Sequence, residues 1–176
     1  GMEYYGDSLY QALRLVLSAD SALAEIFWLS FKVSLTALLI ASALGLPLGA
    51  FLAVQRFSGR GMLIGLINTL MGMPPVVVGL LVYLHLSRSG PLGWMGLLYT
   101  PTAMIIAQVI LITPIIAALS CQIIEDLHAD YRDLFTSLCV PGYIAVFSYI
   151  YDARYSLLTV ILAGFGRAVS EVGAVI

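Results

Sequence analysis

Long stretches without a charged residue leave this chain few ways to fold. None of the 23 residues from Val33 to Gln55 is charged, and none from Gly61 to Ser87 is charged either. A helix of about 20 apolar residues crosses the hydrocarbon core of a bilayer, which is about 30 Å thick. Charged residues make up 10% of the chain, against about 25% in soluble domains. We therefore predict an all-α, polytopic helix bundle in the cell (inner) membrane, solvated by lipid.

One amphipathic segment and four apolar segments define the predicted architecture. Leu9, Leu13 and Val16 share one face of a helix at 8–18, a pattern typical of a helix that lies at the membrane interface. The polar residues between the third and fourth apolar segments are expected to form a water-facing loop with helical content. The predicted spanning helices cover residues 26–54, 61–86, 102–121 and 155–176, and the loop covers residues 122–154.

Prolines interrupt two of the predicted spanning helices. Pro47 lies between Gly45 and Gly49, and this spacing favours a kink or close helix packing. Pro74 and Pro75 remove two backbone donors in the middle of the second segment and break it. Irregular backbone at membrane depth is tolerated only inside protein or against a cavity. The break therefore predicts either a structural kink or part of a pathway.

The distribution of basic residues predicts the orientation in the membrane. Short cytoplasmic loops are enriched in Lys and Arg. The predicted loops at 55–61 and 122–154 hold four arginines, whereas the opposite side holds Arg14 and Arg88, with Lys32 near the membrane edge. We therefore expect both loops on the cytoplasmic side and the N-terminus outside.

Patterns typical of catalysis and cofactor binding are missing from this sequence. Lys32 is the only lysine, and no glycine-rich loop precedes it, which excludes a P-loop ATPase. His85 and His128 lack the spacing of metal ligands, and Cys121 and Cys139 lack a CxxC spacing. The net charge of -2 argues against nucleic-acid binding, which needs clustered basic residues. We therefore predict no enzyme activity, no cofactor, no metal and no nucleic-acid partner.

Two charged residues in the fourth apolar segment are its most unusual feature. Arg167 and Glu171 are four residues apart, so they share one helix face and can pair. A charge in the hydrocarbon core costs about 2.5–3.5 kcal/mol even on the lenient insertion scale. A pair kept there usually faces a bundle interior or a water-filled path. It predicts either a transport pathway or a purely structural ion pair.

Several segments resemble the membrane subunits of ABC importers. Residues 133–140 sit where that family carries its cytoplasmic Glu-Ala-Ala…Gly loop, whose coupling helix docks on the ATPase subunit. Residues 164–174 resemble the sulfate, molybdate and tungstate branch of the family. The stretches 68–80, 87–93 and 151–154 are most similar to the tungstate-type permeases.

This resemblance implies a fold, a function and a set of partners. The fold would be that of a type I ABC importer permease, with one transmembrane permease domain over residues 1–176. The function would be to form the path for an oxyanion across the inner membrane, with tungstate favoured and molybdate or sulfate as alternatives. The partners would be a second copy in a homodimer, ATP-binding cassette ATPase subunits, an extracytoplasmic oxyanion-binding protein and membrane lipid. Because the family continues with a further loop and at least one more spanning helix, we also expect a C-terminal truncation.

The same resemblance points to two groups of functional residues. The substrate pathway is expected to include Pro74, Pro75, Arg167, Ser170, Glu171 and Gly173. The ATPase-coupling loop is expected to include Asp133, Leu134, Phe135, Ser137, Leu138 and Cys139. In this loop Asp133 replaces the usual Glu, Leu134 and Phe135 replace the two alanines, and Cys139 replaces the glycine.

Two other functions stay open on the residues alone. The chain could be a small channel or carrier that works without an ATPase. It could also be a non-transporting, truncated membrane fragment in which Arg167 and Glu171 only neutralise each other. The segment 122–154 discriminates the first of these from an ABC permease, because a carrier has no use for a long cytoplasmic docking segment.

Overall fold

Every regular element in the described part of the chain is helical. The computed structural model describes residues 2–17 and 21–175, and the side-chain environments of residues 4–17 and 24–171. A single 3₁₀ turn at Gly93–Met95 interrupts the loop before the fifth helix. The prediction of an all-α bundle is confirmed. The helices are α1 (Met2–Leu17), α2 (Ser21–Val54), α3 (Arg60–Met71), α4 (Pro75–Leu86), α5 (Pro101–Ser137), α6 (Gly142–Asp152) and α7 (Arg154–Val175).

Two of these helices are both long and apolar enough to cross a membrane alone. The α2 helix has 34 residues and α5 has 37, which correspond to about 50 and 55 Å at 1.5 Å per residue. The other apolar helices form two bent pairs, α3 with α4 at 100° and α6 with α7 at 71°. By length and composition the described residues thus supply two spans, or four if each bent pair is one span.

The α2 and α5 helices pack closely through two glycines. A Cβ atom on Gly45 would lie 2.9 Å from the Ile116 side chain, and one on Gly49 would lie 2.7 Å from the Ala117 carbonyl oxygen. The later glycine of α2 thus contacts later residues of α5, so the two helices run in the same direction. Parallel spans need a return crossing between them, and α3 with α4 is the segment that makes it.

The observed helices differ from the predicted ones in the second apolar segment. Residues 61–86, predicted as one spanning helix with a break, form two helices of 12 residues each. Each is about 18 Å long, too short to cross the hydrocarbon core alone. The cause is the pair of prolines, because Pro74 precedes the first turn of α4 and Pro75 occupies it, where a missing N–H costs little.

The predicted loop at 122–154 also differs from the structure, because most of it is helical. The α5 helix does not end near residue 121 but continues to Ser137. Neither Gly nor Pro occurs from Gln122 to Ser137, and the apolar side chains recur at helical spacing. Residues 142–152 form α6, and only 138–141 and Ala153 lie outside helices.

The remaining boundaries shift by a few residues. The α2 helix begins at Ser21 rather than at residue 26 and ends at Val54 as expected. The α1 helix begins at Met2 rather than at residue 8, and all of its described side chains are exposed. The α7 helix begins at Arg154, one residue before the predicted start. Ser18 and Ile176, at the ends of two predicted helices, lie outside the described residues.

The glycine contact generates a stability prediction. We expect Gly49→Ala to destabilise the bundle by about 1–3 kcal/mol, because the added methyl group overlaps the α5 backbone, which cannot move aside. The measurement is thermal unfolding in detergent micelles, followed by circular dichroism.

Gly65→Ala is the matched control. Gly65 also lies inside a helix, but a Cβ atom there meets nothing within 4 Å. This variant should be as stable as the parent or slightly more stable, because alanine is the better helix former. Equal unfolding temperatures for the two variants would contradict the close approach of α2 and α5.

Candidate functional site

The break between α3 and α4 is joined to α7 by an arginine. Arg167 Nη2 donates a hydrogen bond to the Met73 carbonyl oxygen at 3.3 Å. Met73 lies in the short gap between the two helices, and the Val77 amide, which would reach its carbonyl oxygen in a continuous helix, donates to the Pro74 carbonyl oxygen instead. Arg167 therefore satisfies backbone that the proline pair leaves open.

Arg167 and Glu171 lie together, as their spacing predicted. Arg167 Nε and Glu171 Oε1 are 3.8 Å apart, with side chains that are 32% and 21% exposed. This separation is too long for a hydrogen bond, and Arg167 Nε has no hydrogen-bond partner among the described residues. The two charges therefore attract each other without being locked in one geometry.

Gln108 is a third polar group at this junction, and the sequence analysis missed it. It is buried in α5, and its Nε2 donates to the Ala168 carbonyl oxygen of α7 at 3.3 Å. Its Oε1 has no hydrogen-bond partner among the described residues. An amide in the middle of an apolar segment was the available signal, because a buried polar group in a membrane usually has a structural or functional reason.

A cavity of about 250 Å³ opens beside this junction, between α4 and α5. Glu171 is the only charged residue among the described residues that line it, and Gln108 also faces it. The remaining lining residues are Pro75, Val78, Gly79, Val82, Tyr83, Leu98, Tyr99, Thr100, Ala103, Met104, Ala107 and Leu111.

The predicted pathway residues are only partly brought together. Pro75 and Glu171 line the cavity, and Arg167 contacts the break next to Pro74. Ser170 instead bonds within its own helix, where its Oγ donates to the Arg167 carbonyl oxygen at 2.8 Å. Gly173 belongs to α7, but its surroundings lie outside the described residues. Pathway roles for these residues stay predictions.

The predicted coupling residues form the end of α5 and the turn after it. The Val140 amide donates to the Phe135 carbonyl oxygen and the Cys139 amide donates to the Thr136 carbonyl oxygen, a Schellman arrangement that closes the helix. This motif places its turn residue in the left-handed region, and Cys139 has a φ of 51°. Cysteine therefore occupies a conformation that favours glycine, at the position where the resembled loop carries glycine.

The side chains of this segment point in different directions. Asp133, Leu134, Ser137 and Leu138 are exposed. Phe135 is half-buried, because it stacks on Tyr131 and packs against Tyr149 of α6. Tyr149 is buried, and its hydroxyl lies 2.9 Å from His128 Nδ1. These contacts hold α6 against the last turns of α5.

A row of exposed aromatic residues on α6 completes this surface and was also missed from the sequence. Tyr143, Phe147 and Tyr151 are spaced by four residues and are 68%, 73% and 66% exposed. Together with Leu134 and Phe135 they line a groove of about 600 Å³. The four-residue spacing in the sequence was the available signal, since it places all three rings on one helix face.

Comparisons with known proteins bear on the identity of the chain. No family model matches it. A probable anion ABC transporter permease protein of Haloferax volcanii is 40% identical over 154 residues, which cover 88% of this chain and 66% of that protein. The tungstate uptake system permease protein TupB of Peptoclostridium acidaminophilum is 37% identical over 174 residues, covering 99% and 76%. TupB of Campylobacter jejuni is 33% identical over 172 residues, covering 98% and 72%.

These relatives confirm the resemblance that residues 68–80 and 164–174 indicated. They match nearly the whole chain, which itself spans about two thirds to three quarters of their length. The apolar helices able to cross a membrane agree with a multi-pass location in the cell membrane. The chain belongs to the family of anion ABC transporter permeases, on the branch that contains the tungstate permeases.

Proposed function

We propose that this chain forms half of a homodimeric path through which an ABC importer moves an oxyanion, with tungstate favoured, across the cell membrane. The observation that carries this proposal is the junction at which Arg167 contacts the broken backbone at Met73, beside a cavity lined by Glu171. Irregular backbone and charged side chains at membrane depth are both typical of a transport site. The named activities of the relatives supply the substrate class.

The chemistry of the arginine suits a tetrahedral dianion. A guanidinium group presents a planar fork of donors that matches oxyanion geometry. Here Nη2 donates to the Met73 carbonyl oxygen, while Nε has no hydrogen-bond partner within the described residues. Glu171 offsets the positive charge from 3.8 Å away. The resting site is then close to neutral, which allows a dianion to pass without being trapped.

ATP hydrolysis would be supplied by separate ATPase subunits that dock on the α5–α6 surface. The groove lined by Leu134, Phe135 and the α6 aromatic row is exposed and mostly apolar, with Asp152 and Ser148 also in its lining. Such a groove accepts an apolar side chain or helix of a partner. An extracytoplasmic oxyanion-binding protein would deliver the substrate at the opposite side of the membrane. A carrier that works without an ATPase would have no use for this groove.

The two cysteines test the orientation. Cys139 is exposed and Cys121 is buried, so only Cys139 should react with a membrane-impermeant maleimide. We expect labelling in inside-out vesicles and none in right-side-out vesicles, because the arginine distribution predicts that this turn faces the cytoplasm. Cys139→Ser should abolish the labelling. Labelling of right-side-out vesicles alone would reverse the proposed topology.

The docking surface is tested by a charge in the groove. We expect Leu134→Asp to abolish co-purification with the ATPase subunit, because an uncompensated carboxylate in an apolar interface loses several kcal/mol. Membrane insertion should be unchanged, since Leu134 is exposed.

Thr136→Asp is the matched control for the docking experiment. It adds the same charge in the same turn, but Thr136 does not line the groove. This variant should co-purify like the parent. Equal co-purification of both variants would place the ATPase contact elsewhere.

The charged pair is tested by Glu171→Gln, which keeps the hydrogen bond between Arg167 and Met73. We expect the variant to fold, to take up tungstate more slowly at saturation and to saturate at a lower tungstate concentration. The physical reason is that Arg167 then carries an unbalanced charge and holds the dianion more tightly. A tenfold change in either quantity corresponds to about 1.4 kcal/mol. The measurement is ATP-dependent tungstate uptake by the transporter reconstituted with its partners.

Two further variants separate a pathway role from a structural one. Glu25→Gln removes an exposed carboxylate at the start of α2 and should leave uptake unchanged. Arg167→Gln removes the charge that contacts Met73 and should lower both the unfolding temperature and uptake, because two polar groups lose their partner. If Glu171→Gln transports with the parent's rate and concentration dependence, the pair has no role in the path.

A further inference from the structure

A second cavity, independent of the proposed pathway, lies where α2 ends and α3 begins. It has a volume of about 490 Å³ and lies between the turn at 55–59 and the C-terminal half of α5. Its lining is unusually basic for so apolar a chain, since three of its eight residues are arginines and one is a histidine. The lining residues are Ala53, Arg56, Phe57, Arg60, Glu125, His128, Ala129 and Arg132.

One of the three arginines, Arg60, already has partners within the protein. Arg60 Nε donates to the Leu52 carbonyl oxygen at 2.6 Å, at the open end of α2. Its Nη2 lies 3.2 Å from Glu125 Oε1. Arg60 therefore caps α2 and neutralises Glu125, the one carboxylate among the described residues that line the cavity.

The other two arginines leave positive charge without a firm partner. Within the part of the chain that the structure describes, Arg56 makes no hydrogen bond and no ion pair. Arg132 Nε lies 3.8 Å from Asp133, and both of these side chains are mostly exposed, so the pairing is weak. The cavity thus carries about two uncompensated positive charges.

His128 can add a donor to the cavity, depending on which way its hydrogen bond with Tyr149 runs. The buried Tyr149 hydroxyl lies 2.9 Å from His128 Nδ1. When the hydroxyl donates to Nδ1, the imidazole carries its own proton on Nε2. His128 lines the cavity, so it can then offer this N–H to a bound group.

We propose that this cavity binds a phosphate-type oxyanion, held between Arg56 and Arg132 with His128 as an additional donor. Two guanidinium groups match the charge and the planar donor geometry that a tetrahedral dianion requires. The volume exceeds that of a single oxyanion and lies in the range of small-ligand sites, so a substituted phosphate also fits. Basic pockets next to the ends of spanning helices attract anionic head groups, and Arg56 is the residue at which the charge-free run 33–55 ends, just after α2.

The test uses the purified full chain and reads its unfolding temperature in two arms. In the first arm, inorganic phosphate is titrated into protein in a neutral detergent, against chloride at equal ionic strength. In the second arm, nanodiscs of phosphatidylcholine alone are compared with nanodiscs that also contain phosphatidylglycerol. A higher unfolding temperature in the first arm identifies a free oxyanion as a ligand. A higher unfolding temperature in the second arm identifies a lipid phosphate.

Substitutions at the cavity test whether the rise in unfolding temperature comes from binding at this site. Arg56→Gln combined with Arg132→Gln should raise the phosphate or phosphatidylglycerol concentration needed for the same stabilisation by about tenfold or more, because two charge-assisted contacts are lost. Arg14→Gln combined with Arg88→Gln removes two exposed arginines outside the cavity and should behave like the parent. Arg56→Gln alone serves as a milder variant, since the Arg56 side chain has no hydrogen bond or ion pair with any described residue and its loss should not prevent folding.

Three results would overturn the proposal. One is an absence of stabilisation of the parent in both arms. Another is equal stabilisation of the parent and of the variants at Arg56 and Arg132. The third is a loss of ATPase co-purification in those variants with unchanged phosphate and lipid responses, which would assign the arginines to a protein contact. The outcome does not depend on the proposed transport path, because none of its residues lines this cavity.

Discussion

The bundle depends on the close contact of α2 with α5, which glycine makes possible. At Gly45 and Gly49 the two helices approach so closely that a Cβ atom would overlap the neighbour. In a membrane there is little hydrophobic drive between helices, so association relies on such van der Waals packing. The α7 helix completes the contact, since Gly164 packs against Ile112 and Ile116 of α5. This three-helix core is what sets α7 beside the broken segment.

The class of fold could be read from the sequence, but the geometry of its breaks could not. The lack of charge over 33–55 and 61–87 is a local property, and long uncharged segments are stable in a bilayer as helices. Pro74 and Pro75 showed where the second segment breaks, because the missing donors are local too. The bend of 100° depends on packing between distant segments. The length of α5 was underestimated because a change from apolar to polar residues was interpreted as the end of a helix.

The candidate site was predicted only in part, because the sequence reveals its local features and not the contacts between distant segments. Arg167 and Glu171 are prominent in an apolar segment, and their pairing follows from a spacing of four residues. The contact between Arg167 and Met73 joins residues that are 94 positions apart, and no pattern along the chain encodes it. Gln108 is a weaker signal in the sequence, because a neutral amide is less costly in an apolar segment than a charge. Its burial nevertheless indicates a structural or functional role, as for a charged residue. The groove on α6 became visible only when that segment proved to be a helix.

The unbroken course of α5 has a mechanical consequence. One helix carries Gln108 beside the cavity near the break and Phe135 beneath the aromatic row of α6. These residues are separated by about 40 Å of continuous helix, at 1.5 Å per residue. A tilt of about 5° at one end of such a rod moves the other end by about 3.5 Å. A partner that pushed on the groove would therefore shift the other end of α5, beside the cavity, by an amount set by how far the helix bends at Pro114.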